Sequence, residues 1–340
     1  MGPNRVSNAA LAEGRAKRLE APRRTRSLIA FGIRAGLGVG VLGLLLWLYG
    51  FRQIVHALAR EQPAYICATI ALYLAGQVTS AYRWMLLARL NRLAGGFREY
   101  LTYNFIGMFT NLFVPGLIGG DAARVAYLGL RNRRTAEAVG SVVADRGVGL
   151  IALCWLAAGA ALTVTSVRLP PALTRLAVTI GGLTLLGYLA APRLIAPIRN
   201  LPGRLGALVR PIIPYAENPI GLIVPFALSL VLQASLAVCQ YILALGMGVN
   251  VALSAAMLVV PMANVAASLP LTLNGLGVRE GAYLLLFGMA GVSHEDAVAL
   301  GLLWFATTLL GGLAGLVPFI ITPLPRVEDE VELYASAQSR

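Results

Sequence analysis

Three places in this chain put ionisable side chains inside sequence that is otherwise almost wholly apolar. The first is LFVPGLIGGDAARVAYL, Leu112 to Leu128, which holds Pro115, Gly119, Gly120, Asp121 and Arg124. The second is the adjacent pair Asp145 and Arg146, within the apolar run 136–165. The third is LPLTLNGLGVRE, Leu269 to Glu280, which holds Pro270, Asn274, Gly275, Gly277, Arg279 and Glu280. A guanidinium is a planar fork of donors that fits a phosphate. A helix N-terminus opened by proline and glycine turns its unsatisfied amide groups and positive dipole end toward an anion.

In the first stretch Asp121 is placed to cap a short return helix, and Arg124 follows one turn later. Two readings are open. One is a lipid phosphate site; the other is an internal Asp121–Arg124 pair that serves only to cap the helix. Charges in a membrane interior are costly unless paired or facing a cavity. Asp145 and Arg146 are therefore candidates for a proton or cation relay, or equally for structural ion pairs to Asp121 or Arg124. The third stretch copies the first imperfectly, since the apolar Leu276 stands where Asp121 would be. Thr272 and Asn274 could give neutral hydrogen bonds to a headgroup there, and Arg279 and Glu280 open the return limb. The candidate headgroup residues are thus Asp121, Arg124, Asp145, Arg146, Asn274, Arg279 and Glu280.

The elements that must hold these residues are membrane helices. Of 340 residues, 58% are hydrophobic and 13% charged, and the mean hydropathy is +0.74. A soluble domain could not cover that much apolar surface. The net charge of +13 rests almost wholly on arginine. Without a basic groove or an aromatic stacking pattern it points to anionic lipid headgroups and not to nucleic acid. Cys67, Cys154 and Cys239 have no metal-site or disulfide spacing and read as small core residues, and two isolated histidines, His56 and His294, assemble no catalytic triad. No metal, cofactor or catalytic constellation is expected, and neither is enzyme activity.

Apolar runs fall at about 28–50, 62–82, 100–117, 136–165, 172–190, 219–246, 251–269, 278–291 and 296–322. The stretch AYRWMLL, Ala81 to Leu87, reads as an aromatic-basic interface anchor at the end of a span. After 100–117 the return segment Asp121 to Leu130 has only ten residues before a cluster of arginines. Ten helical residues rise ~15 Å, about half of a ~30 Å hydrocarbon core. If 100–130 is a re-entrant hairpin, the cytoplasmic segments hold 20 basic residues against four outside: Arg52, Arg60, Arg168 and Arg175. That distribution agrees with the positive-inside rule. Pro115-x4-Gly120-x3-Arg124 recurs as Pro270-x4-Gly275-x3-Arg279, an offset of 155 residues that also superimposes the flanking runs.

The expected fold is therefore an all-α polytopic membrane protein with about six full spans plus two broken re-entrant helical hairpins, arranged as an inverted repeat. The expected units are a basic cytoplasmic tail 1–27, repeats 28–166 and 172–323, and a cytoplasmic tail 324–340. Pro115, Gly119, Gly120, Pro270, Gly275 and Gly277 mark the hairpin breaks.

Taken in order, Tyr82-Arg83-Trp84, Asn111-x3-Pro115-x3-Gly119-Gly120-Asp121-x2-Arg124, Asp145-Arg146-x2-Gly149-Leu150 and Pro270-x4-Gly275-x-Gly277-x-Arg279-Glu280 resemble one family over about residues 28–323. It is the lysylphosphatidylglycerol synthase transmembrane-region family of flippase-like membrane proteins. The resemblance implies a protein of the bacterial inner membrane that moves, or helps to move, lipids between leaflets; the charge distribution leads us to expect both termini in the cytoplasm. Full-length members add a soluble aminoacyl transferase domain, which the roughly 18 residues after the last apolar run are not expected to supply. The partners expected are membrane lipids and a separately encoded lipid synthase. A lipid-modifying transferase, or an accessory subunit of such a synthase, is the alternative.

Overall fold

The computed structural model describes residues 52, 55–56, 59–113, 118–199, 202–268 and 277–323. Both expected tails, the first expected span 28–50, and Pro115, Pro270, Asn274 and Gly275 lie outside the described residues. In chain order the main helices are α1 Pro63–Leu90, α2 Phe97–Phe113, α3 Ile118–Asn132, α4 Thr135–Thr163 and α5 Pro171–Ile195. They continue as α6 Ile223–Gly246, α7 Leu253–Ala267, α8 Val278–Met289 and α9 His294–Gly312. A 3-10 turn extends α6 back to Ile220, and further turns carry α9 on to Ile321. Five of these helices, α1, α4, α5, α6 and α9 with their extensions, are long and apolar enough to cross a membrane. The chain is a polytopic membrane protein, all-helical among the described residues.

Local chemistry sets several helix ends. Pro63 and Pro171 open α1 and α5 at a position where the missing amide hydrogen costs nothing. At the start of α9 the Ser293 hydroxyl accepts the Asp296 N–H at 3.2 Å. The ends of α1 and α3 are closed by arginines in the left-handed region, Arg92 at φ 55° and Arg133 at φ 53°. Backbone bonds from Leu93 to Ala88 and from Arg134 to Gly129 close those turns.

α2 and α3, of 17 and 15 residues, rise ~25 and ~22 Å, short of a full crossing. They pack together and return to the same end of the bundle. There Asn132 accepts the Ala94 N–H at 2.7 Å and donates to the Ala94 carbonyl at 3.2 Å, beside an Arg131–Glu99 ion pair. This is the re-entrant hairpin expected from the charge distribution. Its return limb is longer than the expected ten residues because the helix already starts at Ile118. The second pair, α7 and α8, has 15 and 12 residues.

The two hairpins open at opposite ends of the bundle. At the α2–α3 mouth, Tyr127 donates to the Thr322 carbonyl at 2.9 Å, and Asn91 donates to the Pro211 carbonyl at 2.9 Å. At the α7–α8 mouth, the Ser166 and Ser254 hydroxyls meet at 3.0 Å and Arg60 pairs with Asp296. Between these ends α1 and α6 lie side by side. Thr69 donates to the Cys239 carbonyl, Gly76 faces Leu232 and Ser235, and Arg83 donates to Ser229. Rising numbers on one helix meet falling numbers on the other, so the two run antiparallel. Small residues let them approach closely. The 155-residue offset superimposes α1 on α6, α2 on α7 and α4 on α9. The packing of α4 on α7 is matched by that of α9 on α2, as a twofold axis lying across the helices requires.

Of the three cysteines, Cys154 and Cys239 are buried as expected. Cys67 is exposed on α1, because it lies off the face that meets α6.

Candidate functional site

The first hairpin is held at its crossing by two glycines. A Cβ on Gly107 of α2 would lie 2.9 Å from the Gly120 carbonyl oxygen, and one on Gly120 would lie 2.6 Å from the Asn111 amide nitrogen. No residue with a side chain fits that approach without moving the limbs apart. Asn111 then supplies the cap, its side-chain oxygen accepting the Gly120 N–H at 2.7 Å. Asp121 is therefore not the N-cap that the sequence suggested. It sits inside the first turn of α3, and its carboxylate is directed to other partners.

Those partners form a ladder of alternating charge. Asp145 on α4 is 2% exposed and takes Arg83 Nε on one oxygen at 2.8 Å and an Arg124 guanidinium nitrogen on the other at 2.9 Å. Arg124 also lies 3.4 Å from Asp121. Arg146 then grips Asp121 with two donors, at 2.8 and 3.0 Å. At the inner end Arg83 donates to the Ser229 hydroxyl at 2.9 Å. Trp84 lies under Arg124, with the guanidinium carbon 4.1 Å from the ring centroid, in cation–π contact. Trp84 in turn is fixed by its indole N–H to Ser141, at 3.1 Å.

Asp121, Arg124, Asp145 and Arg146 are thus brought together as the sequence suggested, but Asp145 and Arg146 do not serve each other. Neighbours on a helix point in different directions, so Asp145 turns inward to two arginines while Arg146 turns to Asp121. Arg83 and Trp84 are the residues that sequence reasoning missed. The reading of AYRWMLL as an interface anchor is corrected: Arg83 and Trp84 are buried, and only Tyr82 of the three is exposed. The expected span stopped at the first charge, whereas α1 continues to Leu90. Had the helix been extended, Gly76, Ser80, Arg83, Trp84 and Leu87 would have emerged as one packed face.

The ladder lies deep. Counted from the α2–α3 mouth, Asp121 lies 11 residues in from Asn132 at the end of α3 and Arg146 lies 11 residues in from Thr135 at the start of α4, a rise of ~16 Å into a ~30 Å core. It holds three guanidinium groups and two carboxylates, hence one excess positive charge. Exposure is graded along it, from 7% for the Arg83 and Arg124 side chains to 21% for Asp121 and 46% for Arg146. The arrangement therefore offers a half-exposed fork of donors at membrane depth, backed by a buried and well-paired interior.

The second hairpin is built differently. Gly277, at φ 82°, makes the turn into α8 in a conformation that favours glycine. Glu280 caps the helix, its carboxylate accepting the Gly277 N–H at 2.5 Å. This supplies the cap that Leu276 could not. Arg279 lies in the first turn of α8, while the described contacts of Arg124 run to Asp121, Asp145 and Trp84. Glu280 is fully buried.

Residues 30–315 match the family described as the lysylphosphatidylglycerol synthase TM region. A UPF0104 membrane protein of Methanothermobacter thermautotrophicus is 28% identical over 123 residues, which is 36% of this chain and 36% of that protein. The match thus spans about a third of that curated relative. A match over most of the chain, on helices that form hairpins around an intramembrane ion-pair ladder, places this protein in the lysylphosphatidylglycerol synthase transmembrane-region family.

Proposed function

We propose that this protein moves an anionic lipid between the leaflets of a bacterial inner membrane, and that the Arg146–Asp121 end of the ladder receives the headgroup phosphate. Its family makes it a membrane protein of lipid metabolism or transport. The observation that carries the finer reading is a half-exposed arginine about midway through the hydrocarbon region, at the end of a ladder with one excess positive charge. A soluble anion has no easy path to that depth, whereas a lipid headgroup reaches it with its tails still in the bilayer.

The phosphate would compete with Asp121 for the Arg146 fork and cancel the excess charge. Arg83, Asp145 and Arg124 would stay paired behind it and hold α1, α3 and α4 in place. Arg89, Arg92, Arg98, Arg131 and Arg134 gather at the α2–α3 mouth, which by the positive-inside rule supports a cytoplasmic position for that end. Hairpins that open at opposite ends suit alternating access, in which repeats 28–166 and 172–323 rock against each other.

The test is movement of headgroup-labelled anionic phospholipid in liposomes that carry the purified protein. Arg146→Gln removes the fork but leaves the buried pairs intact. It should slow movement by about tenfold or more, the worth of one charge-assisted hydrogen bond. Movement at the wild-type rate in the Arg146→Gln protein would overturn the assignment of this site.

A further inference from the structure

The second hairpin holds a carboxyl group that the headgroup reading leaves unused. Glu280 is 0% exposed and packs on Gly301 of α9, where an added Cβ would lie 2.9 Å from its Cγ and 3.3 Å from its Oε1. Oε2 accepts the Gly277 N–H, but Oε1 has no hydrogen-bond partner among the described residues. The Tyr283 hydroxyl, one turn further along α8, is also fully buried and without a partner among the described residues. An ionised carboxylate held this way would leave a half-satisfied charge inside the membrane, which is costly.

Capping does not require an acid here. The first hairpin is capped by the neutral Asn111. Applying the 155-residue offset puts Ala266 at the position of Asn111, and Val125 at the position of Glu280. The carboxyl is therefore peculiar to one of two matching hairpins. Its surroundings are almost free of other titrating groups. α8 packs against α7 and α9. Helix α7 has no titratable residue, and those of α9 (His294, Glu295 and Asp296) all fall in its first turn, well before Gly301. Residues 269–276 add none, and on α8 itself only Arg279 and Tyr283 accompany Glu280.

We propose that Glu280 is a proton-carrying site that couples lipid movement to a pH gradient. The coupling part rests on the lipid-transport reading; the proton site itself does not. A proton adds to Oε1 as an O–H bond and changes the group from −1 to neutral, and its release reverses both changes. Against Gly301 Oε1 is dry and unpartnered among the described residues, so a proton taken up there removes a buried charge. A proton fits better than a metal cation, because among the described residues one carboxylate oxygen and one hydroxyl fall far short of the six or more oxygens such an ion takes.

Two measurements on the purified full chain test this. In liposomes with an imposed pH gradient, lipid movement by the wild type should rise by up to about tenfold per pH unit for one coupled proton. Glu280→Gln keeps a carbonyl oxygen for the Gly277 N–H and should respond to no gradient. Infrared difference spectra between acid and alkaline buffer should contain a carboxylic-acid carbonyl band that is lost in Glu280→Gln and shifted in Tyr283→Phe. An acid band unchanged by Glu280→Gln overturns the proton site. Wild-type movement that ignores the gradient overturns the coupling while sparing lipid transport. Should the wild type move no lipid at all, the transport reading falls and the infrared result decides the proton site alone.

Discussion

Replacing Asp145 by alanine is the sharpest probe of the ladder. Its carboxylate accepts two charge-assisted hydrogen bonds, at 2.8 and 2.9 Å, from arginines whose side chains are each only 7% exposed. Without it Arg83 retains Ser229, and Arg124 retains Trp84 and a long contact to Asp121. None of these replaces a buried counter-charge. Stripping one partner from a buried ion pair costs about 3–5 kcal/mol, so Asp145→Ala should destabilise by about 4 kcal/mol. At ~2–4 °C per kcal/mol for a chain of this order, the unfolding midpoint should fall by roughly 10 °C. Asp145→Asn should cost about half as much, because the amide oxygen still serves one guanidinium while its NH2 group faces the other. The double variant Arg83→Met with Asp145→Ala should lose less than the two single losses added together, by about 1 kcal/mol or more, since it removes one of the stranded charges. Thermal unfolding in lipid nanodiscs reads these variants together with Arg83→Met alone and the wild type. An Asp145→Ala midpoint equal to wild type, or strictly additive losses, would refute the claim that this carboxylate holds the ladder together.

Two further outcomes follow from the same structure. Gly120→Ala should pry α2 from α3, because the added methyl collides with the Gly107 carbonyl and the Asn111 side chain. We expect a loss of about 1–3 kcal/mol and faster hydrogen exchange confined to residues 97–132. The second concerns Glu61, just before α1, where burial raises the carboxyl from an ordinary 4.5 to about 7. Between those values the folded protein binds more protons than the unfolded one, so stability should fall as pH rises from about 4.5 to 7 and level off above it. Glu61→Gln should flatten that slope; a slope that persists in the variant would assign it to another group.

Much of this architecture was legible in the residues. Composition compels membrane helices, and the spacing between Gly120 and the arginines at 131–134 compels a limb too short to cross. The repeated Pro, Gly and Arg at an offset of 155 residues points to two matching hairpins. These features are local or periodic, and a chain carries local and periodic information directly. Even so, the cap of α3 was misassigned, because Asn111 reaches Gly120 from the opposite limb and nothing at positions 118–121 encodes that.

The partners of the charges needed tertiary structure. Arg83 lies 62 residues from Asp145 and 146 from Ser229, and no pattern within α1 tells which helix its charged face will meet. Asp145 and Arg146 are adjacent in the chain but roughly 100° apart around the helix, so one is buried in a triad and the other ends half exposed. Glu280 and Gly301 are likewise unrelated until α8 packs on α9. The sequence alone determined that charges enter the membrane and that the backbone breaks beside them. Which charges pair, and which carboxyl oxygen is left without a partner, was decided by helix packing, because those contacts depend on the rotation and register of helices distant in the chain.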